Sequence, residues 1–162
     1  MNYRRLSKEE LASLEKEFID FLVVNGITAL DWERLKLEEI GKADHLVDLF
    51  SEVVFEGIFR KAKFLEIKTQ RFVHAYQCLD DKIILVGIES SHKQLDFLNN
   101  EVSIIDQLKL TGNDVQLFMT DKQYEGKREH ELFRMTEHGC QISDGVLFKS
   151  LSLAYIENKK DA

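Results

Sequence analysis

The sequence predicts an α+β fold: N-terminal helices packed on a small, mainly antiparallel sheet of three to four strands, followed by two C-terminal helices. Two observations predict it. Up to about Arg60 the apolar residues recur every three or four positions, which is the period of an amphipathic helix. Beyond Arg60, three short apolar runs follow one another with only a few residues between them, as in neighbouring antiparallel strands.

The first helix is predicted over residues 8–25. Ser7 and Glu10 form a capping box, because the hydroxyl can accept from the amide three residues on and the carboxylate can reach back. The apolar residues of this segment fall on one helical stripe: Leu11, Leu14, Phe18, Phe21 and Leu22. Asn25 and Gly26 supply a left-handed stop.

Two further helices are predicted before Arg60. Thr28 can cap a short helix that Gly41 ends or kinks. A longer helix over residues 43–60 has one apolar stripe made of Leu46, Leu49, Phe50, Val53 and Gly57. Phe55 and Phe59 lie on another side of this helix. A helix that is apolar on two sides contacts two partners, so we expect it to be central.

The apolar runs beyond Arg60 predict strands over Ala62–Lys68, Arg71–Leu79 and Lys82–Glu89. Asp80-Asp81 suits a tight turn, so the second and third strands should form a hairpin. The third strand is apolar without alternation, which indicates burial on both faces and predicts the central strand of the sheet. A fourth strand is predicted over Asp114–Thr120, where apolar and polar residues alternate.

Helices are predicted in the remaining segments. Glu101–Leu110 is ambiguous, and one interpretation is a short helix. A helix over Arg128–His138 is stopped by Gly139, and Ser143-Asp144 opens the last helix. The length is that of one domain, or at most one domain with a docked helical appendage, and we expect a single globular domain over residues 1–162. Its predicted parts are helical, sheet-containing and C-terminal helical: 1–60, 61–120 and 121–157.

Composition narrows the functional classes. The chain has 162 residues, of which 44% are hydrophobic, so it can bury a core. Its formal charge of −7 argues against partners such as nucleic acid or an anionic membrane, because like charges repel the phosphates. It shows no signal peptide and no apolar run long enough to span a bilayer. We therefore expect a cytoplasmic location, with Cys78 and Cys140 reduced.

Reactive residue types are sparse. The sequence contains no glycine-rich phosphate loop and no HExxH, GxSxG or CxxC motif, so neither a cofactor nor a metal site is predicted. The densest cluster is His130, His138 and Cys140. The two histidines are eight positions apart on a helix, about 80° out of register, so they cannot share one ion unaided. Gly139 and Cys140 fit a helix C-cap followed by a buried thiol.

A basic stretch precedes an aromatic strand face. The cations are Arg60, Lys61, Lys63, Lys68 and Arg71, and the strand face carries Phe72, His74, Tyr76 and Cys78. Cations beside aromatic rings are typical of platforms for single-stranded nucleic acid. The net charge favours a different interpretation, in which lysines protect an edge strand and a helix covers the aromatic residues.

Two parts of the chain resemble a known family. One is Tyr3–Leu11 continuing to Phe21–Ile27, and the other is Glu131–Arg134 followed by Glu137–Gly145. Together they resemble a family of small uncharacterised bacterial proteins, a domain of unknown function. The resemblance spans nearly the whole chain and implies a bacterial, cytoplasmic, single-domain protein. It implies no activity and no site residue.

The sequence supports three functional hypotheses. The first is a non-enzymatic binding or regulatory module that acts through protein–protein contacts or self-association; Phe55 and Phe59 form its patch if the monomer leaves them exposed. The second is a small enzyme with a site near residues 122–144, built from Tyr124, Arg128, His130, His138 and Cys140. The third is binding of an anion or single-stranded nucleic acid through residues 60–76.

Overall fold

The computed structural model of the chain describes residues 2–91, 96–98 and 115–160. The chain divides into two compact units, Met1–Arg60 and Lys61–Ala162, which we call the helical unit and the sheet unit. The boundary lies where the hydrophobic period of the sequence changes. The described residues form helices and one antiparallel sheet, so the predicted α+β class is confirmed. A single domain over residues 1–162 stays a prediction.

The helical unit is built from four helices: α1 (Lys8–Ser13), α2 (Glu15–Val24), α3 (Ala29–Glu38) and α4 (Ile40–Lys61). The continuous helix predicted over residues 8–25 is wrong, because Leu14 separates α1 from α2. The Leu14 N–H donates to both the Glu10 and the Leu11 carbonyl oxygens, at 3.2 and 3.1 Å. The bond to Glu10 is the regular bond of an α-helix and the bond to Leu11 is that of a tighter turn, while the backbone of Leu14 leaves the helical region with φ −108° and ψ 25°.

The helix ends in this unit agree with the predictions only in part. The Ser7 hydroxyl accepts from the Glu10 backbone N–H at 3.1 Å, as predicted, but the Glu10 carboxylate pairs with Arg4 at 3.0 Å. Gly41 does not end α3, since α3 stops at Glu38 and Gly41 lies in the first turn of α4. Glu39 leaves the helical region between the two helices, with φ −136° and ψ 61°, and no left-handed residue is needed there.

The core of the helical unit lies along α4. Phe50 is buried against the rings of Phe18 and Phe21, with centroids 5.0 and 5.4 Å apart. Phe55 and Phe59 are buried on another side of the same helix. Both sides of α4 therefore contact partners inside the helical unit, but the predicted stripe is not buried throughout, since Leu49 and Val53 are 42% and 59% exposed.

The sheet unit contains a five-stranded antiparallel sheet in the order β4-β3-β2-β1-β5. Its strands are β1 (Phe64–Lys68), β2 (Phe72–Cys78), β3 (Lys82–Ser90), β4 (Val115–Gln123) and β5 (Gln141–Ser143). The predicted count of three to four strands is wrong, because the short β5 pairs with β1. The predicted hairpin is present, with the Leu79 N–H donating to the Lys82 carbonyl at 3.0 Å. The middle position belongs to β2, one strand from the predicted β3.

The two predicted C-terminal helices are present: α5 (Arg128–Glu137) lies between β4 and β5 in sequence, and α6 (Val146–Lys160) follows β5. The last helix continues three residues past the predicted end at residue 157. The predicted helix over Glu101–Leu110 lies outside the described residues. No helix in the described ranges has both the length and the apolar character needed to cross a membrane.

Helix α6 closes one face of the sheet, which we call the closed face. Val73 and Ala75 of β2 pack there with Val86 and Ile88 of β3, and each of the four is at most 1% exposed. Leu151 of α6 completes this core and is fully buried. Val115, Leu117 and Met119 alternate along β4, within the strand predicted over Asp114–Thr120, and pack against the same cluster. We call the opposite face of the sheet the open face, and residues of the segment 122–140 lie beside it.

Candidate functional site

Alternation along β2 supplies the open face with aromatic side chains. Successive residues of a strand point to opposite sides of the sheet. Because Val73 and Ala75 enter the closed face, their neighbours Phe72, His74 and Tyr76 point to the open face. All three are half-buried, whereas Val73 and Ala75 are almost completely buried.

A groove of about 450 Å³ lies on the open face, and we call it the sheet groove. Its floor is formed by Ile67 of β1 and by Phe72, His74 and Tyr76 of β2. Its wall is formed by residues of the segment 122–140: Lys122, Glu125, Glu131, Arg134, Met135, His138 and Cys140. This volume falls within the range of about 300–1,000 Å³ that is typical of small-molecule sites.

The aromatic floor is continuous. The ring centroids of Phe72 and His74 are 4.4 Å apart, and Tyr76 meets His74 edge-on at 6.4 Å. Phe118 of β4 also meets His74 edge-on, at 5.7 Å. Gly87 of β3 makes room for this arrangement, because a Cβ there would lie 2.6 Å from Phe118 Cζ and 2.8 Å from His74 Cδ2.

Helix α5 contributes one face to the wall. Arg134, Met135 and His138 follow Glu131 by three, four and seven positions, which places all four side chains on the same side of a helix. His130 does not share that face and is not among the residues that line the groove. The wall therefore joins His138 to Glu131 and Arg134, not to His130.

Glu131 and Lys122 form an ion pair at one end of the groove. The Glu131 residue is only 6% exposed, and its Oε1 lies 2.6 Å from Lys122 Nζ. Its Oε2 accepts the backbone N–H of Glu125 at 3.0 Å. Burial raises the pKa of this carboxyl, but the Lys122 ammonium, the Glu125 N–H and the charge of Arg134 outweigh burial and lower the pKa. Glu131 is therefore ionised and fully engaged.

Arg134 and His138 lie at the other end of the sheet groove. Within the part of the chain that the structure describes, the Arg134 guanidinium has no hydrogen-bond or ion-pair partner; its charge acts on Glu131 at longer range. His138 Nδ1 lies 2.7 Å from the Arg134 carbonyl oxygen. Since a carbonyl only accepts, we assign the proton to Nδ1, which leaves Nε2 as an acceptor when the ring is neutral.

Cys140 and Tyr76, which line the same groove, carry their protons at neutral pH. Burial raises the pKa of the Cys140 thiol. Burial also raises the pKa of Tyr76 to about 12, with smaller contributions from Cys140 and Cys78. A reactive cysteine needs a lowered pKa, so Cys140 is not prepared as a nucleophile.

Tyr124 and Arg128, both predicted site residues, bind backbone atoms instead of lining the groove. The Tyr124 hydroxyl donates to the Leu79 carbonyl oxygen at 2.7 Å. The Arg128 guanidinium donates to the carbonyl oxygens of Leu79 at 3.1 Å, Cys78 at 3.0 Å and Ala62. These bonds hold the β2–β3 turn and the start of the sheet. Of the five polar residues predicted near 122–144, the structure brings only His138 and Cys140 to the groove.

Phe55 and Phe59 are covered inside the helical unit. They are 7% and 4% exposed, and the Tyr3 ring stacks on them with centroids 5.8 and 6.2 Å away. The Arg4 guanidinium lies 4.9 Å from the centre of the Phe55 ring. The two rings thus do not form the exposed patch on which the self-association hypothesis depended.

The basic stretch and the aromatic strand face separate in the structure. Phe72, His74 and Tyr76 line the sheet groove, but none of the five cations from Arg60 to Arg71 does. Arg60 is engaged with Glu56, at 3.4 Å. The alternative interpretation also needs correction, since β1 is not an edge strand and is paired with both β2 and β5.

A second groove, of about 290 Å³, lies in the helical unit. It is mainly apolar and is lined by residues of α2, α3 and the turn between them, including Phe18, Leu22, Ile27 and Trp32. The charged side chains at its rim include Glu33 and Lys36, which pair at 2.8 Å. This groove therefore offers fewer unengaged polar groups than the sheet groove.

Reasoning from the sequence missed most of the wall. Lys122, Glu125, Glu131 and Arg134 were not selected, although the spacing of Glu131, Arg134 and His138 along one helical face was a usable signal. For metal binding, the described ranges contain no group of three or more His, Cys, Asp or Glu side chains that could hold an ion.

The comparison with known protein families places the whole fold in one of them. A model described as a family of unknown function (DUF6495) matches residues 1–155. No curated protein and no solved structure matches the chain. The family description names no activity, substrate or partner, so the geometry of the groove must carry the functional argument.

Proposed function

We propose that this chain, which belongs to the DUF6495 family of unknown function, is a non-enzymatic binding module that holds a small ligand in the sheet groove. One observation carries the proposal. Phe72, His74 and Tyr76 stay half-buried in the groove while Val73 and Ala75, between them on the same strand, are sealed in the core. A concave site with aromatic surface and a few convergent polar groups is typical of small-molecule binding.

The protonation states favour binding over chemistry. Partial burial raises the pKa of the Cys140 thiol, so it is a poor nucleophile. The Glu131 carboxylate is ionised and bonded to Lys122 and Glu125, so it cannot donate a proton and has little freedom to accept one. Neither Cys140 nor Glu131 is therefore an activated group, and the groove offers a ligand contacts and charge.

The ligand class is a small molecule because of the size and content of the groove. An open groove of about 450 Å³ with mixed polar and apolar lining suits a compact organic molecule. Protein contacts through Phe55 and Phe59 are not part of the proposal, since both rings are buried. A regulatory role, a bacterial origin and a cytoplasmic location stay predictions.

A saturation-transfer NMR screen of small aromatic compounds against the full chain tests the proposal. We expect a set of ligands that compete with one another and lose their signals in Tyr76→Ser, which removes part of the aromatic floor. Tyr155→Ser is the matched control, because Tyr155 is a half-buried tyrosine of α6 packed against the closed-face core. An absence of ligands, or ligands that bind Tyr76→Ser unchanged, would overturn the proposal.

One observation favours a second candidate, a small enzyme with His138 as general base. The Arg134 carbonyl orients the imidazole and leaves Nε2 as an acceptor, an arrangement that general bases use. An assay with a panel of ester and amide substrates tests it. Turnover that His138→Gln abolishes and His130→Gln keeps would establish the enzyme and replace the binding proposal; no turnover by the wild type would retire it.

A further inference from the structure

A cation of the sheet groove without a partner indicates the chemical class of the ligand. This inference rests on the proposed function. We infer that the ligand is an aromatic carboxylate, with its ring against Phe72 and Tyr76 and its carboxylate bound by Arg134. Arg134 is the only cation of the groove wall that lacks a hydrogen-bond or ion-pair partner among residues 2–91, 96–98 and 115–160.

The charge distribution orients such a ligand. At one end of the wall, the carboxylates of Glu125 and Glu131 outnumber the single ammonium of Lys122, so this end repels an anion. Arg134 is one helical turn further along α5. The carboxylate of a ligand is therefore directed to the Arg134 end, and an uncharged or cationic tail to the Glu125 end.

The other ionisable groups that line the groove do not oppose this orientation. Tyr76 and Cys140 are protonated and uncharged at neutral pH because burial raises the pKa of each. His74 Nε2 lies 3.5 Å from Glu89 Oε1, and among the described residues this buried nitrogen has no hydrogen-bond partner, so it adds no fixed negative charge to the floor. His138, four residues after Arg134, presents Nε2 at the same end of the groove.

The guanidinium group suits this task chemically. Its planar fork can donate two parallel hydrogen bonds to the two oxygens of a carboxylate. The adjacent aromatic rings favour a ligand with a planar, apolar ring. Stacked or edge-on ring pairs contribute more binding energy than the burial of their surface area alone. An aromatic acid therefore engages both the unpaired charge and the half-buried rings of the groove.

Isothermal titration of the full chain with three matched probes tests the inference: 3-phenylpropionate, 3-phenylpropionamide and 2-phenylethylamine. We expect the acid to bind about tenfold more tightly than the amide, as for one charge-assisted contact. Arg134→Gln should reduce the affinity for the acid to that for the amide. Lys63→Gln, which removes an exposed lysine of the sheet unit away from the groove, should leave all affinities unchanged.

The failure of this inference is distinguishable from failure of the proposed function. Equal affinities for the acid and the amide, or a preference for the amine, would overturn the carboxylate assignment while the groove remained a binding site. An unchanged affinity of Arg134→Gln for the acid would overturn it as well. If none of the three probes binds at millimolar concentration while the aromatic screen still finds ligands that Tyr76→Ser loses, the carboxylate assignment is contradicted and the proposed groove stands. If that screen also finds no ligand, the proposed groove is contradicted as well. The thermal unfolding of each variant confirms that it folds.

Discussion

The two faces of the sheet are built by alternate residues of the same strands, yet they end in opposite states. On the closed face, Val73, Ala75, Val86 and Ile88 are at most 1% exposed beneath α6. On the open face, larger aromatic side chains remain half-buried around a groove. Folding alone explains the closed face, because burial of apolar surface is its main driving force.

The open face shows that folding leaves part of the apolar surface of the sheet accessible to solvent. Rings of the size of Phe72 and Tyr76 would gain stability from complete burial. The segment 122–140 instead brings charged side chains to the groove beside these rings. Function is therefore to be sought on the open face and stability on the closed face.

The two faces should differ most in how much stability is lost when a large apolar side chain is replaced by alanine. Leu151→Ala on α6 should lower the free energy of unfolding by about 2–5 kcal/mol, because it leaves a cavity in a fully buried core. Met135→Ala on the half-buried groove wall should lower it by about 1 kcal/mol. Urea denaturation measures both. Equal losses would remove the distinction between the faces.

A glycine substitution tests how tightly the open face is fitted. Gly87→Ala should destabilise the chain by about 1–3 kcal/mol and displace the rings of Phe118 and His74, since its Cβ would lie under 3.0 Å from both. Gly57→Ala is the matched control. It lies inside α4 with open space around it and should stabilise the chain by about 0.5–1 kcal/mol. A neutral Gly87→Ala would show that the floor is not close-packed.

The ion pair of Glu131 should make the groove wall sensitive to acid. The pKa of this carboxyl is lowered in the folded chain, so its stabilising effect is present above the ordinary value of 4.5 and is lost as pH falls through the folded pKa. Glu131→Gln should therefore be less stable than the wild type by about 1–3 kcal/mol at neutral pH. The gap should close in acid. A gap that stays constant from pH 7 to pH 3 would contradict this role.

The smallest expected effect appears in alkali. Burial raises the pKa of Tyr76 and of Tyr124 to about 12, above the ordinary value of 10.0. Their stabilising effect is complete below the unfolded value and is lost as pH rises through the folded one, so stability should fall between about pH 10 and pH 12. Tyr124→Phe, which also loses the bond to Leu79, should lower stability by about 1 kcal/mol at neutral pH and weaken that alkaline loss. A loss that Tyr124→Phe leaves unchanged would contradict the contribution of Tyr124.

Much of the fold could be predicted because periodicity and caps are local properties. Thr28 and Asp31 form a complete capping box, and β2 and β3 pair across Asp80-Asp81 as expected. The short β5 could not be predicted, since three residues carry no recognisable period and pair only because β1 presents a free side. Leu14 fits the helical stripe but interrupts the helix, which the apolar pattern does not reveal.

Only separate parts of the site could be predicted from the sequence. The alternation along β2 placed Phe72, His74 and Tyr76 on one face, but nothing local showed that the segment 122–140 would form a wall above them. The burial of Phe55 and Phe59 depends on Tyr3, which precedes the first helix and belongs to no periodic pattern. Contacts between segments distant in sequence determined both outcomes.

The most direct test of the central claim is an amide chemical-shift map of the full chain titrated with 3-phenylpropionate. The claim predicts that the shifts concentrate on β2 and on residues 134–140, and that the helical unit and the outer turns of α6 stay unchanged. Shifts centred on the second groove between α2 and α3, or spread evenly over both units, would show that the open face of the sheet is not the binding site.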